Sequence, residues 1–320
     1  MRRSRLAGHR SRIDALVRPI TVLHVAHAGS GHGGLHRAPA GRGTVSCCGR
    51  MSEFSFFIGI DYSGAQTPTS RLPGLQVFVS RAGSERCDKW RSPTKSNSGG
   101  PVNWTRKEIA ERLLLEACSG ERFLAGIDHC FSFPWSYFTR HGLRSWPAFL
   151  DDFVHHWPTH GDHVYVDFVR DGVMHRDHGA PKPGERSGSA DEFRICDRWT
   201  SSAKSVFQFD MHGSVAKSSH AGIPWLKWLR DQAGDRLHFW PFDGWEPAAG
   251  KSVIVEVYPS LFRNRYGRDG RTVDEQDAYA TARWMADMAA RGALAQYFSL
   301  PLSQAERAVA ECEGWIFGVR

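Results

Sequence analysis

The stretch Phe54-Ser55-Phe56-Phe57-Ile58-Gly59-Ile60-Asp61-Tyr62-Ser63-Gly64-Ala65 limits what this chain can fold into more than any other. An apolar, aromatic run this short, closed by Gly and Ser, predicts a buried strand rather than a helix. Its terminal aspartate then sits at the carboxyl edge of a sheet, where open α/β folds place their chemistry. Asp also starts turns well, so one such run has a second reading as a plain turn. The pattern recurs, however. Phe123-Leu124-Ala125-Gly126-Ile127-Asp128 is again an apolar run ending in Asp, followed by His129-Cys130-Phe131-Ser132-Phe133-Pro134. If the two strands are parallel neighbours, Asp61 and Asp128 project side by side. Carboxylates that close repel, and each raises the other's pKa unless a cation lies between them. A divalent metal is the expected cation.

Between the two strands the chain turns through Pro68 and Pro73. Leu75–Ser80 reads as a second strand, and a third is expected near Cys87–Arg91. Thr105 with Glu108 forms a capping box, and Ile109, Leu113 and Ala117 fall on one face of the helix that follows. His129 and Cys130 have two readings, as further ligands or as a turn histidine and a buried thiol.

Residues 136–250 read as a long insertion. Trp146–Trp157 has helical spacing, and His155, His156, His160, His163, His175 and His178 make a histidine-rich stretch without zinc-site spacing. Pro181–Ser189 is expected to be a flap-like loop. A helix is expected over Gly222–Leu229 with Pro224 in its first turn. Ser218, Ser219 and His220 either line a pocket there or cap that helix. His238–Phe242 reads as a short strand.

A second acidic constellation closes the chain. Ser252-Val253-Ile254-Val255-Glu256-Val257 is a β-branched run with an acid inside it. Glu256 is either paired or metal-bound in a core, or on the wet face of an edge strand. Thr272 to Met285 reads as a helix whose Ala278, Ala282 and Ala289 permit close packing on a sheet. Asp274 and Asp277, three apart, leave one face of its first turn. Acids are favoured there by the helix dipole alone, but two on one face join naturally with Asp61 and Asp128. A helix over Ser303–Cys312 and a docked Trp315-Ile316-Phe317 tail complete the order.

Composition narrows the surroundings of this domain. The 320 residues, 41% apolar, are enough for one large core or two small ones. Residues 1–50 hold nine arginines and one acid, Asp14, a net +8, so the chain's +7 comes from that segment and residues 51–320 sum to −1. The segment reads as a disordered or over-extended start, with Met51 as a natural beginning, or as an organellar transit peptide. Its Cys47-Cys48 pair has no assigned role. The seven cysteines are odd in number and scattered, without a C-x-x-C pair, which predicts a reducing, cytoplasmic setting. No apolar run approaches a bilayer span, so no membrane partner is expected.

The order of strand-Asp, hairpin, helix, strand-Asp, insertion, strand and Asp-x-x-Asp helix resembles the ribonuclease H-like fold of nucleases, resolvases and transposases. The nearer resemblance is to domain of unknown function 429, a family of predicted ribonuclease H-like nucleases. It rests on Ile58-Gly59-Ile60-Asp61, Gly126-Ile127-Asp128, Gly222-Ile223-Pro224-Trp225-Leu226, Val255-Glu256-Val257-Tyr258-Pro259-Ser260, Asp277-Ala278 and Glu313-Gly314-Trp315-Ile316. The resemblance implies an α/β fold with a mixed sheet flanked by helices, and Asp61, Asp128 and Asp277 as the acidic cluster. It adds Asp274 and, as a further partner, Glu256. It also implies two Mg²⁺ or Mn²⁺ ions about 3.5–4 Å apart and a nucleic-acid partner, DNA or RNA. Phosphate binding calls for cations, and Arg263, Arg265, Arg268 and Arg271 either supply them or form a solvated loop. Two other functions share the pattern. An actin- or sugar-kinase-like phosphotransferase would use Asp61-Tyr62-Ser63-Gly64 as a phosphate loop, and a non-catalytic binding module would have no metal site.

Overall fold

The computed structural model describes residues 54–172, 186–200, 202–211 and 213–320. The expectations for residues 1–50, for Met51, for His175 and His178 and for residues 181–185 of the loop lie outside these residues. The elements in chain order are β1 (Phe56–Asp61), β2 (Gln76–Arg81), β3 (Cys87–Trp90), α1 (Arg106–Cys118), β4 (Phe123–Asp128), α2 (Trp135–His141) and α3 (Trp146–His156). There follow α4 (Val166–Arg170), α5 (Ile195–Arg198), α6 (Ala216–Ala233), β5 (Leu237–Phe239), β6 (Ser252–Val257), α7 (Val273–Ala290), α8 (Ala295–Phe298), α9 (Gln304–Glu313) and β7 (Ile316–Phe317).

The strands form one mixed sheet in the order β3-β2-β1-β4-β6-β5, with β7 also on β6. β1, β2 and β3 are an antiparallel meander, whereas β1, β4, β6, β5 and β7 run parallel. β5 and β7 share the outer edge of β6, beside Ser252–Ile254 and Glu256–Val257 respectively. Ile316 and Phe317 of the docked tail thus also form a sheet strand.

Strands covered on both faces need continuous apolar runs, which is why β1, β4 and β6 show no polar alternation. Ile58, Ile60, Ala125 and Ile127 pack with α1, α3 and α6. Phe57, Leu124, Val253 and Val255 face the other way, into a core with Trp284 and Met285 of α7, Trp315 and Phe317. The result is an α/β molecule with helices on both faces of the sheet. Among the described residues, no helix is long and apolar enough to cross a membrane.

The capping box of α1 forms as the sequence predicts: Glu108 N–H donates to Thr105 Oγ1 at 3.1 Å and Thr105 N–H to Glu108 Oε2 at 3.2 Å. Ile109 and Leu113 are buried beneath it. The expectation for Pro224 needs correction. α6 begins at Ala216, so Pro224 lies inside it rather than in its first turn. Proline lacks the N–H that would reach the carbonyl four residues back. That carbonyl, on His220, accepts instead from Thr159 Oγ1 at 2.5 Å, a partner 61 residues away.

Candidate metal centre

The centre begins with two glycines. Gly59 and Gly126 lie opposite each other in the β1–β4 register. A Cβ on Gly59 would fall 2.1 Å from the Ala278 carbonyl oxygen and 2.6 Å from the Ala282 nitrogen, and one on Gly126 would fall 2.8 Å from Thr281 Cγ2. Without a side chain at Gly59 the α7 backbone crosses almost against β1, and Gly126 leaves room for the side chains of Thr281 and Val257. Interior strand glycines often mark such approaches. Ala278 and Ala282 supply the matching small face on the helix.

The crossing carries Asp277, in the second turn of α7, to the strand ends. Asp61 and Asp128 close β1 and β4 at the same register position. Carboxylate oxygens of Asp61, Asp128 and Asp277 all lie within 4.8 Å of one another. Asp277 is 8% exposed. Burial pushes the Asp61 carboxyl well above its ordinary pKa, and the charges of Asp128, Asp274 and Asp277 push it further. Asp128 is raised likewise, by burial first and then by Asp277 and Glu256. Asp277 is raised by burial, against the opposing pull of Arg263. Arg263 Nη1 donates to Asp277 Oδ2 at 3.1 Å. Three converging acids with one guanidinium at the rim are short of positive charge. Their donors are all carboxylate oxygens, the set that hard divalent cations prefer.

Asp274, one turn earlier, stays outside the trio but is close enough for its charge to act on Asp61 and Asp277. The structure does not bring Glu256 into the group. β6 is an inner strand and Glu256 is 3% exposed, so the wet-edge reading is also excluded. Arg194 grips both of its oxygens, Nη1 to Oε2 at 2.7 Å and Nη2 to Oε1 at 2.5 Å, while the Phe131 N–H donates to Oε2 at 3.0 Å. The same guanidinium bonds Asp197 and the Glu313 carbonyl. Glu256 thus anchors the loop after Asp128 and the segment carrying α5.

His129 and Cys130 take structural roles. His129 Nδ1 donates to the Cys130 carbonyl at 2.8 Å, and its ring fills the space beside Gly222, with burial pulling its pKa to about 4. The Cys130 N–H donates to Ser219 Oγ, and Ser218 Oγ donates to the Val215 carbonyl. His220 is enclosed by the rings of Phe133, Phe153, Trp157 and Phe209, and burial lowers its pKa to about 3. Among the described residues no histidine joins a group of three or more metal-ligating side chains.

Two arginines at this end of the sheet escaped the sequence reading. Arg106 is fully buried and donates to the carbonyls of Ser63, Ala65 and Gln66, fixing the turn that leaves Asp61. Arg194 lies in the insertion, where no local pattern marks it. The glycines did carry a signal, since each interrupts an otherwise bulky strand just ahead of its aspartate. Comparison with known protein families, curated proteins and solved structures finds no match to this chain.

Proposed function

We propose that this chain is a divalent-metal-dependent phosphodiester hydrolase, a nuclease of the ribonuclease H-like class. The observation that carries this reading is the convergence of Asp61, Asp128 and Asp277, from three elements far apart in sequence, with their oxygens within 4.8 Å. A core fold has little reason to gather three partly buried acids around a single guanidinium, because each costs desolvation and repels the others. The strand order, an antiparallel hairpin joined to parallel strands with a helix bearing the third acid, is in keeping with the ribonuclease H-like reading.

Asp61, Asp128 and Asp277 would hold Mg²⁺ or Mn²⁺, with Asp274 close enough for its charge to act on Asp61 and Asp277. When bound, such ions supply Lewis-acid stabilisation of phosphoryl oxygens and a nucleophile at neutral pH. The chain's own residues set the geometry. Gly59 and Gly126 fix the distance of Asp277 from the strand ends, Arg106 holds the turn beyond Asp61, and Glu256 with Arg194 holds the loop beyond Asp128.

The phosphate-loop alternative for Asp61-Tyr62-Ser63-Gly64 draws no comparable support. That turn is pressed onto α6, with a Cβ on Gly64 falling 2.1 Å from the Lys217 carbonyl oxygen. Calorimetric titration of Mn²⁺ into the metal-free full chain tests the reading. Saturable binding, weakened by both Asp61→Asn and Asp277→Asn, is expected, with loss of oligonucleotide cleavage in folded variants. A folded protein that binds no Mn²⁺ would leave the binding-module reading standing instead.

A further inference from the structure

We propose that Arg263 is a substrate-phosphate ligand that the acid cluster holds in reserve. Its guanidinium bonds Asp277 through one nitrogen, and a divalent ion bound by the acids would compete for those oxygens and release the guanidinium to the substrate phosphate. This inference rests on the metal-dependent reading above and adds to it a second, cationic half of the site.

Of the four arginines Arg263, Arg265, Arg268 and Arg271, three are engaged elsewhere or face solvent. Arg271 is committed to Gln276 Oε1, the Gly267 carbonyl and the face of Tyr279, 3.6 Å from the ring centre. Arg268 donates to the Arg271 carbonyl, and Arg265 is exposed. Only Arg263 reaches the cluster. Its Nη1 lies 3.1 Å from Oδ2 and 3.4 Å from Oδ1 of Asp277, so one nitrogen shares both oxygens of a candidate metal ligand. A divalent ion and this guanidinium compete for the same lone pairs, and the ion carries twice the charge.

The anchor of Arg263 stays in place when its head is displaced. Phe262 is buried and stacks on Trp284 with ring centres 4.6 Å apart and planes 2° from parallel. The Arg263 carbonyl accepts from Gln276 Nε2 at 3.2 Å. The backbone is therefore tied to α7 beside the cluster, while the side chain is 37% exposed. The bonds to Asp277 use Nη1 alone. A guanidinium offers five donors in a planar fork that matches phosphate. Such a contact also answers the near-zero charge of residues 51–320, which leaves little general attraction for a phosphate backbone.

The test uses the full chain as wild type, Arg263→Ala and Arg263→Lys, with thermal melts to confirm that each is folded. Mn²⁺ is titrated into the metal-free proteins, and inorganic phosphate into the Mg²⁺-saturated ones. Arg263→Ala is expected to bind Mn²⁺ as tightly as wild type or up to about fivefold tighter, the range for removing a partly exposed ion pair. Its affinity for phosphate in the Mg²⁺-loaded state is expected to fall about tenfold or more, with Arg263→Lys intermediate. Weaker Mn²⁺ binding by Arg263→Ala would mean that Arg263 organises Asp277 rather than competing for it, which overturns the proposal. Unchanged phosphate affinity would overturn it as well. Absence of Mn²⁺ binding by the wild type would instead remove the metal reading itself, a result separate from either of these.

Discussion

Asp128 and Glu256 stand on neighbouring parallel strands. Asp128 closes β4 immediately after Ile127, the residue paired with Glu256 on β6. Around Glu256 the protein has built a closed network, in which the buried Arg194 guanidinium bonds Glu256, Asp197 and the Glu313 carbonyl, and Glu313 itself accepts the Trp135 and Ile195 N–H groups. Around Asp128 it has gathered two more acids and a single rim arginine. Position in the sheet is nearly the same for both acids, and the partner decides the role. A buried acid with a dedicated guanidinium ties elements together, whereas a buried acid among acids is repelled by its neighbours. Three substitutions test that contrast.

The largest effect is expected on the paired side. Arg194→Ala leaves Glu256 and Asp197 buried without a counter-ion, and breaking a buried pair costs about 3–5 kcal/mol. Urea unfolding would measure it. A loss below about 1 kcal/mol would mean that water readily replaces Arg194, and that the two groups differ less than their geometry suggests.

Gly59→Ala acts between the regions. Its methyl would meet the Ala278 carbonyl oxygen at 2.1 Å, so α7 must move outward, at an expected stability cost of about 1–3 kcal/mol. Asp277 moves with the helix, and Mn²⁺ affinity should fall by roughly tenfold or more, as it does when residues supporting a metal ligand are lost. Unchanged Mn²⁺ binding in the destabilised variant would separate the close crossing from the site.

The smallest effect has the most telling sign. Asp61→Asn should stabilise the metal-free protein at neutral pH, because it removes a carboxylate whose charged form burial and the neighbouring acids disfavour. The folded-state pKa of Asp61 is raised, so the native state binds a proton more readily than the unfolded chain. The wild-type penalty is therefore present at high pH and disappears as pH falls through the raised folded value towards the ordinary carboxylate range. Thermal melts of both proteins across pH should converge on the acid side. Mn²⁺ should reverse their order at neutral pH, because the wild type binds it more tightly and gains more stability from it.

What the sequence determined by itself is local. The apolar runs ending in Asp61 and Asp128, the capping box of Thr105 and Glu108, and the acids in the early turns of α7 were all legible, because strand burial and helix capping act over a few residues. Tertiary structure decided the rest. Glu256 read equally well as a core acid, paired or metal-bound, or as a wet edge residue, and only the folded chain brings Arg194, 62 residues away, to pair with it. Pro224 read as a helix start because nothing nearby shows that Thr159 would satisfy the carbonyl it leaves open. Even the candidate site depends on the crossing of α7 over Gly59 and Gly126. Charge pairing and close packing join residues that only the folded chain brings together, whereas the chain's own periodicity reaches no further than the next turn or strand.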